Sequence, residues 1–113
     1  MKPVLKQESG SVKDTSGFIY VLKNASSIEN RYKVGLTKRD PAIRAKELST
    51  SYADEFVVLY YKKMKNVYKA ERKVFQLLSE FMPNEKKEVV DVYDVEMIKS
   101  VIDYVAETED MFS

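Results

Sequence analysis

Phe18-Ile19-Tyr20-Val21-Leu22 is an unbroken β-branched and aromatic run opened by Gly17, the pattern of a buried strand. After loop-type residues from Asn24 to Asn30, the stretch Arg31 to Leu36 alternates. Tyr32, Val34 and Leu36 fall on one face, and Lys33 and Gly35 on the other. These two strands are expected to pair antiparallel. Phe56 to Lys62 reads as a third strand, and Val89 to Tyr93 as a short further one that the pattern leaves open.

Between the strands the period lengthens. Asp40-Pro41 joins an N-cap acceptor to a proline at the first helical position, so a helix is expected from there to about Leu48. Its inner stripe would be Ala42, Ala45 and Leu48, with Ser49-Thr50-Ser51 ending it. Asn66 caps the strongest helix. Val67, Ala70, Val74, Leu77, Leu78 and Phe81 recur at three- and four-residue steps before Pro83 stops it. Asp94 caps a last helix with Val95, Ile98, Val101, Ile102 and Val105 inward. The sum is an α+β single domain: a small three-stranded antiparallel sheet flanked by helices. The expected divisions are a flexible polar tail over 1–16, the domain over 17–93, and an acidic helix packed on it over 94–113.

Composition narrows the chemistry. A chain of 113 residues has room for one modest core. It has neither Cys nor His, which excludes disulfides, thiolate nucleophiles, His-based triads and the common zinc sites. Any catalysis must use Tyr, Lys, Arg, Asp, Glu, Ser or Thr. There is no P-loop, no G-x-G-x-x-G and no EF-hand loop. With no long apolar run and no apolar segment near Met1, the expectation is an intracellular protein without a membrane span.

Charge is unevenly spread. Residues 1–50 carry ten basic and five acidic side chains, and residues 88–113 carry Lys99 against eight acids. A basic working surface for a polyanion is one reading, and two solvated faces of opposite sign is the other.

Each candidate residue has an ordinary alternative. Tyr20 sits in an apolar strand, where tyrosine usually fills core. Lys33 faces away from Val34 and Leu36, beside a glycine that lets a ligand or backbone approach; it also fits a plain surface lysine. Lys38, Arg39 and Arg44 gather around the helix that begins at Pro41, a setting that favours phosphate, or they are surface charges with Arg44 paired to Glu47. Glu71 is either a metal ligand or part of a solvated flank with Arg72 and Lys73. Tyr60 and Tyr61 could stack on bases or belong to the core.

Taken in order, these residues resemble a known family. Gly17-Phe-Ile-Tyr20, Tyr32-Lys33-Val-Gly35-Leu-Thr-Lys-Arg39-Asp-Pro41, Arg44-Ala-Lys-Glu47-Leu48 and Ala70-Glu71 are similar to the motifs of the GIY-YIG nuclease superfamily. The nearest branch is the phage-type "orf 172" DNA-binding domain. Lys33 stands where the superfamily's name has a tyrosine, and Phe75 stands where many relatives carry a histidine.

The resemblance implies a metal-dependent endonuclease-like domain acting on DNA phosphodiester bonds. It implies Tyr20, Lys33, Arg44 and Glu71 as catalytic residues, with Glu71 holding Mg²⁺ or Mn²⁺. Lys38, Arg39, Lys46 and Asn84 would help to bind DNA, Asn84 being the counterpart of an asparagine near a proline. In this scheme Lys33 and the metal would pull the Tyr20 hydroxyl well below its ordinary pKa so that it could act as general base. The alternative is a DNA-binding or regulatory module on the same fold that no longer cuts. A protein-interaction domain is a further reading; in the first two, the chain would act on DNA structure, act with little specificity, or depend on a partner protein.

Overall fold

The computed structural model describes residues 14–52, 54–83 and 88–111. Strand β1 (Gly17–Asn24) and strand β2 (Arg31–Thr37) form an antiparallel pair with Ile19 opposite Leu36, Tyr20 opposite Gly35 and Val21 opposite Val34. The loop between them is held by Asn24, whose side-chain oxygen accepts from the Ser26 amide and hydroxyl at 3.0 Å each. Helix α1 (Pro41–Tyr52) starts as expected, with the Asp40 carboxylate accepting the Ala42 amide at 2.9 Å. It does not stop at Leu48. It runs on to Tyr52, with the Ser49 and Thr50 hydroxyls bonded back to the Ala45 and Lys46 carbonyls at 2.7 and 3.2 Å, the arrangement that lets these residues sit inside a helix instead of capping it.

Strand β3 (Phe56–Met64) lines the other edge of β1, with Tyr61 opposite Tyr20 and Lys63 opposite Phe18. Helix α2 (Val67–Leu78) follows, capped by the Asn66 side chain on the Lys69 amide at 3.2 Å, and runs into a short 3₁₀ turn over Ser79–Phe81. Strand β4 (Val89–Asp91) and helix α3 (Val95–Glu107) complete the domain, with Asp94 capping the Glu96 amide at 2.9 Å. A last 3₁₀ turn spans Glu109–Met111.

The sheet therefore has four strands in the order β3-β1-β2-β4, all antiparallel, rather than the three expected. The fourth strand forms because Val90, wholly buried, completes the core beside Tyr32. Arg31 also clamps its far end through Asp91 at 2.8 and 3.1 Å. A run of three residues carries too little periodicity to announce this pairing.

Alternation along β1 sends side chains to both faces, and helices cover both. Ile19, Val21, Tyr32 and Val34 pack with Val67, Ala70, Val74 and Leu78 of α2 and with Ile98, Ile102 and Val105 of α3. Tyr20 and Leu22 pack on the opposite side with Ala45 and Leu48 of α1, joined by Phe56 and Val58. Two inner-face expectations fail. Ala42 is exposed and Pro41 takes its place inside, while Leu77 lies outside the narrow arc that α2 buries. The described end of the expected tail is also tied down. The Thr15 carbonyl accepts the Val67 amide at 2.8 Å, and its hydroxyl donates to the Lys65 carbonyl at 2.9 Å. Among the described residues no helix is long and apolar enough to cross a membrane.

Candidate functional site

The pairing of Tyr20 with Gly35 builds the centre of the site. Opposed residues of an antiparallel pair point to the same face, so the Tyr20 ring lies over the position where Gly35 has no side chain. A Cβ there would stand 2.6 Å from the Tyr20 hydroxyl oxygen and 2.8 Å from Cζ, closer than real contacts allow. Tyr20 is 1% exposed, yet its hydroxyl meets the Arg44 guanidinium, which α1 brings in one turn from its start.

Burial pushes the Tyr20 hydroxyl above the ordinary phenol range, against the Arg44 hydrogen bond and the positive charges of Arg44 and Lys33. Lys33 acts in the expected direction but does not prevail. Burial and the Glu88 charge thus favour the protonated hydroxyl, against the lowering that Arg44 and Lys33 exert.

Lys33 lies on the same face of β2, two residues before Gly35. Its ammonium is held by Glu88 Oε1 at 2.6 Å. Glu88 directly precedes β4, and its carbonyl accepts the Val34 amide at 2.8 Å, so backbone and side chain both fasten it to β2. Its negative charge is felt by Tyr20, Arg44 and Glu71. The sequence reading missed this residue. A carboxylate just before Val89-Val90 would have been the signal, but it becomes meaningful only once that run is paired with Arg31–Lys33.

Glu71 comes from the first half of α2 and is partly buried. Burial, and then the neighbouring Glu88, raise its carboxyl above the usual range. No cation among the described residues forms an ion pair with it. A carboxylate disfavoured by burial and by a second carboxylate is a fitting partner for a hard divalent cation. Mg²⁺ is commonly held by one or two carboxylates, with water and phosphate completing its shell. Glu71 and Glu88 are the two carboxylates here that could hold such an ion. No cluster of three or more potential ligands exists among the described residues. Phe75, one turn beyond Glu71, packs against the core.

The remaining candidates divide. Arg39 is spent on Glu47, with contacts of 2.8 and 2.9 Å to its two oxygens, and Arg44 lies 3.7 Å from the same carboxylate. Lys38 donates to the Asp14 carbonyl and lies 6.0 Å from the Tyr68 ring centre. Lys46 is exposed on α1, and Asn84 lies outside the described residues. The structure thus unites Tyr20, Arg44, Lys33 and Glu88, with Glu71 feeling the Glu88 charge. It leaves Lys38, Arg39 and Lys46 around them.

Comparison with known proteins gives one finding: the T5orf172 domain family model matches residues 17–106. No curated protein and no solved structure matches the chain.

Proposed function

The chain belongs to the T5orf172 domain family, and on that premise we propose that it is a DNA-directed, nuclease-like domain of the GIY-YIG type that hydrolyses phosphodiester bonds with Mg²⁺ or Mn²⁺. The observation that carries this reading is convergence. A buried tyrosine hydroxyl, a guanidinium and a lysine–glutamate pair reach one spot from β1, α1, β2 and the start of β4. Core packing alone has no use for so many polar groups at one point.

In this reading Arg44 grips two oxygens of the scissile phosphate and meets the charge that builds there. The Tyr20 hydroxyl, held protonated by burial, orients the phosphate or the attacking water as a donor. Lys33 turns from Glu88 toward the incoming anion. Glu71, helped by Glu88, would hold the divalent cation, whose chemistry when bound is to stabilise the negative charge on the leaving oxygen. A partner protein, or the shape of the DNA, would supply specificity.

One observation favours a binding module that does not cut. Phe75 is committed to core packing, so the residue one turn after Glu71 offers no proton-transfer group. A single comparison separates the readings: nicking of supercoiled plasmid in Mg²⁺ and in Mn²⁺ by the parent and by Glu71→Gln prepared identically. The nuclease reading expects nicking that falls at least a hundredfold in the variant. It also expects a cation-dependent rise in melting temperature that the variant lacks. Nicking that survives in Glu71→Gln would reject this site. A folded parent that retards DNA without nicking it would establish the binding module instead.

A further inference from the structure

Next to the Tyr20–Arg44 centre, the same face of the sheet carries two aromatic rings outside the cluster packed under α1. The cluster beneath α1 ends with Tyr20, Leu22, Phe56 and Val58, and Phe18 and Tyr61 lie outside it. These two rings meet edge to face, with centroids 5.7 Å apart and planes at 82°. Tyr61 is directly opposite Tyr20 across the β1–β3 pairing, so their backbones are about one strand spacing, roughly 4.8 Å, apart. The Tyr20 ring leans the other way, over Gly35, and leaves the Tyr61 ring 54% exposed.

A cation borders the pair. Lys63, opposite Phe18, lies 5.9 Å from that ring's centre. Lys38, just after β2, donates to the Asp14 carbonyl and lies 6.0 Å from the centre of Tyr68 near the start of α2. Both lysines act on one carboxylate. Asp14 is held below its ordinary range by hydrogen bonds from the Ser16 hydroxyl and amide, with further help from Lys38 and Lys63. Among the described residues neither lysine forms a salt bridge. The patch therefore presents the exposed Tyr61 ring and its Phe18 neighbour beside the Lys63 charge, on the face that carries the group proposed to grip phosphate.

We propose that Phe18 and Tyr61, with Lys63 beside them, form a stacking platform for an unpaired nucleobase of a DNA strand whose backbone crosses the Arg44 and Lys33 site. The proposal rests on the DNA reading above and names its substrate class as DNA with single-stranded character. Stacking is indifferent to sequence because every base has a π-face, and Lys63 meets the phosphate beside it. Paired bases inside a duplex offer no free face to Tyr61, so the platform distinguishes flaps, gaps and single strands from intact duplex.

The test titrates the full chain into three DNAs of equal length: a single strand carrying one 2-aminopurine, the corresponding duplex, and an abasic strand. The parent is expected to quench the 2-aminopurine on binding. Tyr61→Thr, which puts another residue of high strand propensity on the edge strand, should weaken single-strand binding by about 5- to 100-fold and abolish the quench. Tyr61→Phe should retain both, and affinity for the abasic strand should be the same in all three proteins. Equal single-strand affinity and quench in the parent and Tyr61→Thr would overturn the platform while leaving the DNA reading intact. A parent that binds none of the three DNAs would overturn both.

Discussion

Gly35 is where a single missing side chain decides the site. The Tyr20 ring occupies the volume that any Cβ would need, and the first atoms met are the hydroxyl and Cζ of a residue with almost no exposure. Gly35→Ala must move either the ring or the strand. The ring cannot withdraw easily, because α1 packs Ala45 and Leu48 against it. The expected cost is about 1–3 kcal/mol, as for other overpacked sites, with a melting temperature lower by about 4–8 °C per kcal/mol. The Tyr20 hydroxyl should also leave Arg44, so affinity for DNA should fall beyond what the lost stability explains. Thermal melts and DNA titrations on the same samples check both effects. Unchanged stability and affinity in Gly35→Ala would show that the ring has another place to go. The sequence made Gly35 suspect as a point of close approach. What it could not supply was the identity of the group approaching, since that depends on the β1–β2 register.

At the scale of elements, the legible features were those written in a local code. Asp40-Pro41, Asn66 and Asp94 are side-chain caps followed by periodic apolar residues, and each begins a helix where expected. The features left open or unread depend on partners distant in sequence. Strand β4 exists through Val90 and the Arg31–Asp91 clamp, and Glu88 acquires its place from it. The extra residue in β3 is of the same kind. Val21 and Leu22 face Tyr60 and Val58, so Leu59 is skipped and the faces of the strand exchange. This is why Phe56 and Val58 lie under α1 while Tyr60 reaches α3.

That contact gives a prediction for the β3–α3 interface. The Tyr60 hydroxyl donates to Asp103, and Lys62 lies 3.8 Å from the same carboxylate. Burial, followed by the bond to Asp103, pushes the Tyr60 hydroxyl up to about 12. An unfolded tyrosine ionises near 10. The raised value therefore contributes stability that is complete below pH 10 and is lost as pH climbs through about 12. Tyr60→Phe should cost about 1 kcal/mol at neutral pH. It should also lose less stability than the parent over that alkaline window, as denaturant melts at stepped pH would record. A steeper alkaline loss in Tyr60→Phe would contradict this account.

For the molecule as a whole, the uneven charge of the sequence resolves into a division between two faces of one edge strand. The acidic C-terminal part does not cover the basic surface evenly. Asp103 of α3 takes Lys62, and Asp110 takes Lys65 at 3.0 Å. Glu109 accepts the Lys65 and Asn66 amides at 2.7 and 2.9 Å, where α2 begins. Lys63 points to the opposite face, beside Phe18 and away from those acids. Alternation along β3 thus pairs one lysine with an internal carboxylate and leaves its neighbour without a salt bridge among the described residues, available to the DNA proposed above. Counterion release makes the difference measurable, because each phosphate contact adds about 0.9 to the slope of log affinity against log salt on duplex DNA and about 0.7 on a single strand. Lys63→Gln should therefore lower the single-strand slope by about 0.7 and weaken binding at every salt concentration. Lys62→Gln should leave the slope unchanged, since that ammonium is engaged with Asp103, and its loss should be felt in stability instead. Equal slopes for the parent and Lys63→Gln would mean that the strand passes elsewhere. A reduced slope in Lys62→Gln alone would place it on the α3 side of the sheet.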